Sequence, residues 1–273
     1  MMINFKDYVK EKELFYTNEI KKWGLFKERR FVIIQVGNIE ASTRYVRNKI
    51  KDCEKIGLPV NLISLPDTIA TENLLAEIKA LNENPLISSY IVQLPLPTQV
   101  DEKAVIAAID PKKDADGFSI KHVVNPATPA GFINWLADTG FNFDGKLAIV
   151  IGRSDIVGNP AYQLLRDKNM TVIQRHSHTT EEQKQALIPL ADLIIVATGH
   201  RHRLTNNYKY KSSAIIIDCG INFDTAGKLC GDCDKDLPVA KQTSVPGSVG
   251  LTTRLQLRVN AIELEKLKAK PEY

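Results

Sequence analysis

The sequence predicts an α/β protein with two lobes, and three observations support this fold class. Short, β-branched apolar runs recur between residues 31 and 218. Charged segments with helical patterning lie between most of these runs, which is typical of βαβ units around buried, mostly parallel sheets. This rhythm stops over residues 117–145, where a proline-containing stretch precedes a helix predicted to begin near Thr128 and a turn at "FDGK". We therefore expect two lobes with a crevice between them.

The strand predictions come directly from the apolar runs. Residues 31–36, 60–65 and 89–94 are predicted strands of the first lobe, and 146–151, 170–174, 193–198 and 214–218 are those of the second. The last segment has Leu255, Val259 and Ile262 at helical spacing, and we expect this helix to pack back on the first lobe. The predicted domains are residues 1–138, completed by a helix over 252–273, and residues 139–251.

Composition limits the classes of function. The chain has 273 residues, of which 44% are hydrophobic and 25% charged, as in ordinary folded proteins with room for two domains. Its net charge of +4 is scattered, which disfavours a nucleic-acid groove and suits an anionic small ligand. No apolar stretch approaches the ~20 residues of a membrane helix, and the start is charged where a signal peptide is apolar. We expect a cytoplasmic protein without nucleic-acid or membrane partners.

The first predicted helix after residue 36 carries a tyrosine and a lysine four residues apart, in "YVRNK". Alone, Tyr45 and Lys49 would be a packing residue and a solvated charge. Two further polar signals favour a site. Gln93 ends an apolar run before a rigid Pro-Leu-Pro, and "DADGF" brings Asp114 and Asp116 to the lobe boundary. Ligands of open α/β sheets bind at the carboxyl ends of the strands, where these residues are expected to converge.

The second lobe contains the strand, turn and helix "KLAIVIGRSDIVGNPAYQLL". Gly152 permits a tight turn, Gly158 permits close packing, and the amides at the start of the helix can hold a phosphate. Ser154 stands where the dinucleotide fingerprint G-x-G-x-x-G has its second glycine. The motif by itself is therefore a weak signal, because many such turns bind nothing.

The end of the next predicted strand indicates which dinucleotide would bind. NAD-binding folds usually carry an acidic residue about 20 positions after the first glycine. Here "QRHSHT" has Arg175, His176, Ser177 and His178 instead, with Arg153 in the first turn. Hydrogen-bond donors in place of the acid favour a 2′-phosphate, and hence NADP over NAD. A polar loop without a ligand remains the alternative.

These motifs together resemble the bifunctional methylenetetrahydrofolate dehydrogenase/cyclohydrolase family, from about residue 31 to 263. The matching stretches, in the family's order, are "YVRNK", "VQLPLP", "KDADGF", "ATPAG", "GRSDIVGNP", "HSHT" and "DCGIN". The resemblance implies an N-terminal catalytic domain and a C-terminal Rossmann-like NADP-binding domain. It implies NADP-dependent oxidation of 5,10-methylenetetrahydrofolate and hydrolysis of the methenyl product to 10-formyltetrahydrofolate. It also implies a homodimer that serves one-carbon metabolism and purine biosynthesis.

The resemblance implies a role for individual residues. Lys49 would be the catalytic lysine, hydrogen-bonded to Gln93 and oriented by Tyr45, which stacks on the folate, while Asp116 would anchor the pterin. The remaining implied folate-binding residues are Leu94, Pro246 and Gly247. The implied dinucleotide-binding residues are Gly152, Arg153, Ser154, Ser177 and Ile221.

The segment "PGSVGLTT" departs from the family's P-G-G-V-G-P-M-T, with Ser248, Leu251 and Thr252 at the altered positions. A positive φ at Ser248 would strain the backbone, and loss of a proline at Leu251 would loosen the loop. Weaker folate binding would follow. A paralogue with only one of the two activities, or a non-catalytic folate or nucleotide sensor, therefore remains an alternative.

The pair Cys230 and Cys233 could suggest a metal or redox site, and the histidines of "HSH" and "GHRHR" could suggest metal ligands. The four cysteines of the chain are too few for a disulfide scaffold. No second C-x-x-C lies near this pair, and no carboxylate cluster accompanies the histidines. We therefore expect no metal site.

Overall fold

Two parallel sheets organise the chain, of which the computed structural model describes residues 1–269. The three-stranded unit comprises Lys10–Ala127 and the chain from Arg254 onward, and the six-stranded unit comprises Met1–Val9 and Thr128–Thr253. The α/β class is confirmed. The predicted domain boundary between residues 138 and 139 stays a prediction, whereas these compact units divide between residues 127 and 128.

The predicted strands after residue 30 are all found, with ends that differ by at most two residues. None of the helices within residues 1–269 has the length and apolar character needed to span a bilayer. The elements in chain order are β1 (Met2–Ile3), α1 (Lys6–Trp23), β2 (Arg30–Val36), α2 (Glu40–Lys55), β3 (Val60–Leu65), α3 (Thr71–Glu83), β4 (Ile87–Val92), α4 (Glu102–Ala108), α5 (Ala127–Asp138), β5 (Leu147–Ile151), α6 (Gly158–Arg166), β6 (Thr171–Arg175), α7 (Glu181–Leu187), a 3₁₀ turn (Ile188–Leu190), β7 (Leu193–Val196), β8 (Ile215–Asp218), β9 (Asn222–Phe223), β10 (Leu229–Cys230), β11 (Lys241–Thr243) and α8 (Val249–Ala269).

In the three-stranded unit, β2 lies between β3 and β4, and both pairings are parallel. Successive side chains of β2 serve two cores. Phe31 and Ile33 pack with buried residues of α2 and α8, whereas Val32 and Ile34 pack with those of α3. A central strand that is buried on both faces needs apolar residues at every position, which explains the unbroken apolar run.

Helix α8 completes the core of the three-stranded unit. Its residues Leu257, Ala261 and Ile262 are buried in the cluster that contains Phe31. The predicted return of a C-terminal helix to the first lobe is therefore confirmed. The helix begins at Val249 instead of residue 252, and the predicted portion over 270–273 lies outside the described residues.

The six-stranded sheet has the order β1-β11-β8-β7-β5-β6, and all of its neighbouring strands are parallel. The chain runs from β5 to β6 on one side and then returns to β7 on the other side of β5. Such a reversal leaves a crevice at the carboxyl ends of the two central strands, where ligands of open α/β sheets bind. Strand β1 was not predicted, because its two residues are too few to form a pattern.

Helix α8 offers a matched pair of leucines for testing its contribution to the core. Leu257 is 1% exposed, and Leu267 on the same helix is 52% exposed. We expect Leu257→Ala to lower the free energy of unfolding in urea by about 2–5 kcal/mol, because it leaves a cavity. Leu267→Ala should change it by less than about 0.5 kcal/mol. Equal effects of the two substitutions would mean that α8 is not part of the cooperative core.

Candidate active site

Lys49 is buried in the three-stranded unit. Val46 and Cys53, each within one turn of Lys49 on α2, belong to the core, and the same face of the helix carries Lys49 inward. Only 5% of its surface is exposed, and its Nζ lies 5.3 Å from the centroid of the Tyr45 ring. Burial lowers the pKa of Lys49 because an ammonium loses its hydration, while Asp116 acts in the opposite direction. Lys49 and Tyr45 are therefore not a surface pair.

Asp116 reaches Lys49 from the segment that follows α4. In this segment Asp114 forms a parallel bridge with β4, and its carboxylate accepts hydrogen bonds from the backbone nitrogens of Gly117 (2.9 Å) and Ser119 (2.7 Å). These contacts fix the turn that carries Asp116. Burial raises the pKa of Asp116 to about 6; Lys49 opposes this increase and Asp114 adds to it. Lys49 and Asp116 are thus close enough for each to change the pKa of the other.

Gln93 directly follows β4, and its backbone nitrogen donates to the carbonyl of Ile34 on β2 (2.8 Å). Its side-chain Nε2 donates to the carbonyl of Leu94 (2.6 Å), while its buried Oε1 has no hydrogen-bond partner among the described residues. The hydrogen bond from Lys49 to Gln93 that the family resemblance implies is therefore not formed here. The amide nitrogen instead donates to the backbone carbonyl of the next residue, Leu94.

The other residues implied for the folate site lie in different parts of the chain. Leu94 is half-buried and follows Gln93 in the three-stranded unit. Pro246 and Gly247 belong to the six-stranded unit, in the connection between β11 and α8. Gly247 has a φ of +110°, which favours glycine, and its carbonyl accepts a hydrogen bond from the backbone nitrogen of Phe5 (3.2 Å).

Ser248 and Leu251 do not have the backbone that their departures from the family suggested. The φ of Ser248 is not positive, and its buried Oγ donates to the carbonyl of Ser244. Helix α8 already begins at Val249, so Leu251 lies in its first turn, where its nitrogen donates to the Ser248 carbonyl (2.8 Å). A proline would lack this donor. The expected strain at Ser248 and looseness at Leu251 are therefore wrong, and the expected weakening of ligand binding loses its physical basis.

In the six-stranded unit, the turn between β5 and α6 brings backbone segments close together. A Cβ added to Gly152, whose φ is +124°, would overlap the carbonyl oxygen of Ala197, and one on Gly158 would lie 2.6 Å from the Gly152 carbonyl oxygen. The Oγ of Ser154 accepts from the backbone nitrogens of Val157 and Gly158, at 3.3 Å each. These glycines therefore allow the segment after β7 and the start of α6 to pack directly against the turn at the end of β5.

Arg175 is the last residue of β6 and is 6% exposed. Its guanidinium carbon lies 5.8 Å from the centroid of the Tyr208 ring, and its buried Nη1 has no hydrogen-bond partner within residues 1–269. Burial lowers the pKa of Arg175, and Tyr208 opposes this shift. A buried cationic donor that lacks a partner suits an anionic ligand.

The remaining residues predicted to bind a dinucleotide lie on loops after strands of the same sheet. Arg153 follows β5, Ser177 follows β6, and Ile221 follows β8; all three are exposed, Ile221 by 68%. Because the strands are parallel, these loops share the carboxyl edge of the sheet. The predicted residues are thus available to a ligand bound at that edge.

Asp232 is a buried residue at this edge, and no motif in the sequence predicts a role for it. Its Oδ2 accepts from the backbone nitrogens of Thr198 (2.7 Å) and Gly199 (3.0 Å), which follow β7. Its Oδ1 accepts from the Nδ2 of Asn222 (2.8 Å), which follows β8. The Asp232 carboxylate therefore joins the loop after β7 to the segment after β8 that contains Ile221. An aspartate within the otherwise loop-like "CGDC" was the only signal in the sequence.

The C-x-x-C pair lies beside a second buried carboxylate. Asp218, at the end of β8, accepts from the backbone nitrogens of Gly220 (2.9 Å), Asp232 (3.0 Å) and Cys233 (2.9 Å). Cys230 and Cys233 are free thiols, and burial raises the pKa of Cys233 well above its ordinary value. No group of three or more histidine, cysteine, aspartate or glutamate side chains within residues 1–269 is arranged to hold a metal ion.

Two family models match the chain, and together they cover both units. The model described as "Tetrahydrofolate dehydrogenase/cyclohydrolase, catalytic domain" matches residues 5–116. The model described as "Tetrahydrofolate dehydrogenase/cyclohydrolase, NAD(P)-binding domain" matches residues 126–269. Among known proteins, the chain is similar to the "Bifunctional protein FolD" of Bacillus cereus (strain B4264). The two are 40% identical over 282 residues, which cover 97% of this chain and 96% of the relative.

Solved structures give the same result. The bifunctional FolD methylenetetrahydrofolate dehydrogenase/cyclohydrolase of Campylobacter jejuni is 32% identical, with a TM-score of 0.88 and 96% of each chain covered. The methylenetetrahydrofolate dehydrogenase-cyclohydrolase of Trypanosoma brucei, solved with NADP and an inhibitor, is 28% identical. Its TM-score is 0.89, and the match covers 99% of this chain and 98% of that one.

The raised pKa of Asp116 makes stability depend on pH. A group whose pKa is higher in the folded state stabilises the fold at low pH, and this contribution is lost as the pH rises through about 6. The change from the ordinary value corresponds to about 3 kcal/mol. In urea denaturation, the free energy of unfolding of the wild type should fall relative to that of Asp116→Asn between about pH 4 and pH 7. The exposed Asp101→Asn serves as the control, and a difference independent of pH would contradict the shift.

Proposed function

This chain belongs to the tetrahydrofolate dehydrogenase/cyclohydrolase family, and on that premise we propose that Lys49, Tyr45, Gln93 and Asp116 form its catalytic centre. The protein is an NADP-dependent 5,10-methylenetetrahydrofolate dehydrogenase and a 5,10-methenyltetrahydrofolate cyclohydrolase. The observation that carries the assignment of residues is the buried Lys49 amine, which touches Tyr45 and interacts electrostatically with Asp116.

The oxidation step requires alignment more than proton transfer by the protein. When bound, NADP supplies the nicotinamide that accepts a hydride from the methylene bridge of the folate. The folate is left as a methenyl cation. A neutral amine at Lys49 does not repel this cation as an ammonium would, and burial favours the neutral form.

The hydrolytic step uses Lys49 as a proton acceptor. A water oxygen bonds to the methenyl carbon, and the proton that the water loses passes to the Lys49 amine. The bond from this carbon to one of the two folate nitrogens then breaks as the hydroxyl oxygen forms the formyl C=O bond. That nitrogen takes the electron pair and the hydroxyl proton, and the proton on Lys49 passes to solvent. An amine can accept a proton from water only when it is itself unprotonated, and the lowered pKa of Lys49 extends that condition toward neutral pH.

Tyr45 suits the planar face of the pterin, and Asp116 suits its N–H groups. Burial raises the pKa of Tyr45 to about 12, so its ring stays an uncharged phenol that can stack on a planar heterocycle. A carboxylate at Asp116 can accept hydrogen bonds from pterin N–H groups. Gln93 has an unpaired Oε1 that can accept from Lys49 or from the folate once its amide turns. We also assign Leu94, Pro246 and Gly247 to folate binding, as the family resemblance implies.

The six-stranded unit fits a dinucleotide. The backbone of the β5–α6 turn is packed too closely for a side chain at Gly152 or Gly158, as in the glycine-containing turns that bind dinucleotides, and the unpaired Nη1 of Arg175 suits a phosphate. We assign Gly152 and Ser154 to the pyrophosphate, and Arg153, Ser177 and Arg175 to the 2′-phosphate that distinguishes NADP from NAD. Ile221 offers an exposed apolar side chain for the nicotinamide ring.

The assembly and location of the protein belong to the same proposal. We assign it to the cytoplasm, because all four of its cysteines are free thiols, as expected in a reducing compartment. The homodimeric state is carried over from the family resemblance. Sedimentation analysis of the purified protein tests it directly.

Lys49→Met is expected to reduce the hydrolysis of 5,10-methenyltetrahydrofolate by about 10²–10⁴-fold, because the general base is removed. The variant should still fold and bind NADP, since Met fits the partly apolar surroundings of Lys49. Lys51→Met, on the exposed side of the same helix, is the matched control and should hydrolyse the substrate at the wild-type rate. Hydrolysis by Lys49→Met within about twofold of the wild type would refute the role of Lys49.

Arg153→Ala and Arg175→Gln are each expected to raise the KM for NADP about 10- to 100-fold, because a charge-assisted contact contributes about 1.5–3 kcal/mol. The KM for NAD should change little, since NAD lacks the 2′-phosphate. The exposed Arg166 at the end of α6 provides the control Arg166→Ala. Equal increases for NADP and NAD would mean that the substituted arginine only supports the fold.

A further inference from the structure

Arg254 and Asp52 form an ion pair inside the three-stranded unit that the proposed chemistry does not yet use. Arg254 lies on α8, and Asp52 lies on α2 three residues after Lys49. The Nε of Arg254 donates to the Oδ2 of Asp52 at 2.8 Å, and the two side chains are only 16% and 9% exposed. Lys55 contacts the other carboxylate oxygen at 3.0 Å. The Asp52 carboxylate on α2 therefore holds the guanidinium of Arg254, which extends from α8.

A second arginine locks the two helices together at this point. The Nη1 of Arg258, a fully buried side chain, donates to the backbone carbonyl of Asp52 (2.9 Å) and pairs with Glu13 (2.8 Å). The Nε of Arg258 donates to the carbonyl of Arg254 (3.1 Å). These contacts fix the backbone on both sides of the ion pair, so the guanidinium of Arg254 has little freedom to move.

The Tyr45 ring contacts two basic side chains. The guanidinium carbon of Arg254 lies 5.9 Å from the ring centroid, and the Nζ of Lys49 lies 5.3 Å from it. Both distances are within the range of about 6 Å over which a cation is attracted to an aromatic ring. Because the Tyr45 phenol stays uncharged, it does not cancel the positive charge of Arg254. The charge of Arg254 therefore acts on the Lys49 amine through a poorly hydrated region.

We propose that Arg254 is a positioning residue for the hydrolytic reaction: held by Asp52, it fixes the Tyr45 ring and keeps a permanent positive charge on the ring that Lys49 also contacts. The proposal rests on the assignment of Lys49 as the proton acceptor. A guanidinium is protonated throughout the working range of pH, so its charge does not follow the reaction. It favours the amine form of Lys49, because two like charges repel strongly where water is scarce.

Charged and titratable groups meet the Lys49 amine from three parts of the unit. They are Tyr45 and Cys53 on α2, Asp116 in the segment after α4, and Arg254 on α8. Asp52 acts on Tyr45 and Cys53. Burial lowers the pKa of Lys49 most, Asp116 and Cys53 raise it, and Arg254 lowers it. Arg254 thus acts in the same direction as burial and against the attraction of Asp116.

The pH dependence of kcat for methenyltetrahydrofolate hydrolysis tests this proposal. In Arg254→Gln the fixed charge is lost, the pKa of Lys49 rises, and the acidic limb of the profile moves to higher pH. On that limb kcat should fall about three- to tenfold below the wild type, and the deficit should shrink as the pH rises. Arg254→Lys keeps a positive charge and should recover most of the rate on the acidic limb.

Arg29→Gln is the matched control, because Arg29 also pairs with a carboxylate of this unit, that of Glu265 at 2.9 Å. Its acidic limb should coincide with that of the wild type.

Two results would overturn the proposal. One is a loss of kcat in Arg254→Gln by the same factor at every pH, and the other is an acidic limb in Arg254→Lys that is shifted as far as that of Arg254→Gln. Thermal unfolding of each variant identifies loss of the fold, and the charge-conserving Arg254→Lys keeps the test decisive in that case. The variant Lys49→Met distinguishes failure of the proposed function from failure of the role proposed for Arg254. Wild-type hydrolysis by that variant refutes the proposed function, whereas its loss without a shifted limb in Arg254→Gln refutes only the role of Arg254.

Discussion

The burial of the Lys49 amine, away from water, is the physical constraint on which the chemistry proposed for the three-stranded unit depends. A buried ammonium costs several kcal/mol unless opposite charges and hydrogen bonds surround it. Lys49 cannot turn outward, because the same face of α2 buries Val46 and Cys53 in the core. The helix therefore holds an amine whose pKa is lowered by burial, as an acceptor of protons near neutral pH requires. Packing and chemistry are coupled through a single helix face.

The charges around Lys49 are held by contacts between distant parts of the chain. Asp116 is positioned by a turn that is bonded to the edge of β4, and Arg254 is positioned by α8, which returns from the C-terminal end of the sequence. The two side chains act on the Lys49 amine in opposite directions. Because either charge could be altered without moving Lys49, the protonation of the amine can be adjusted separately from its place in the core.

The six-stranded unit uses buried charge in a different way. Asp218 and Asp232 each accept hydrogen bonds from several donors, so their carboxylates are satisfied and serve to fix the loops after β7 and β8. Arg175 is buried in the same unit with an unpaired Nη1. A buried carboxylate whose oxygens accept hydrogen bonds stabilises the fold, whereas a buried donor without an acceptor favours the binding of a ligand that supplies one. The unit therefore combines rigid loops with an incomplete cationic site.

Local patterns in the sequence determined the α/β class, the buried strands and the C-terminal helix. These features depend on the periodicity of neighbouring residues, and the ordered motifs additionally indicated the family and its reactions. Tertiary structure alone decided that residues 2–3 join the six-stranded sheet, that Ser248 avoids a positive φ, and that the amide of Gln93 turns to Leu94. It alone decided the pairing of Arg254 with Asp52, which are 202 residues apart. Such a contact exists only because α8 packs beside α2, and periodicity within either helix contains no information about which helix becomes its neighbour.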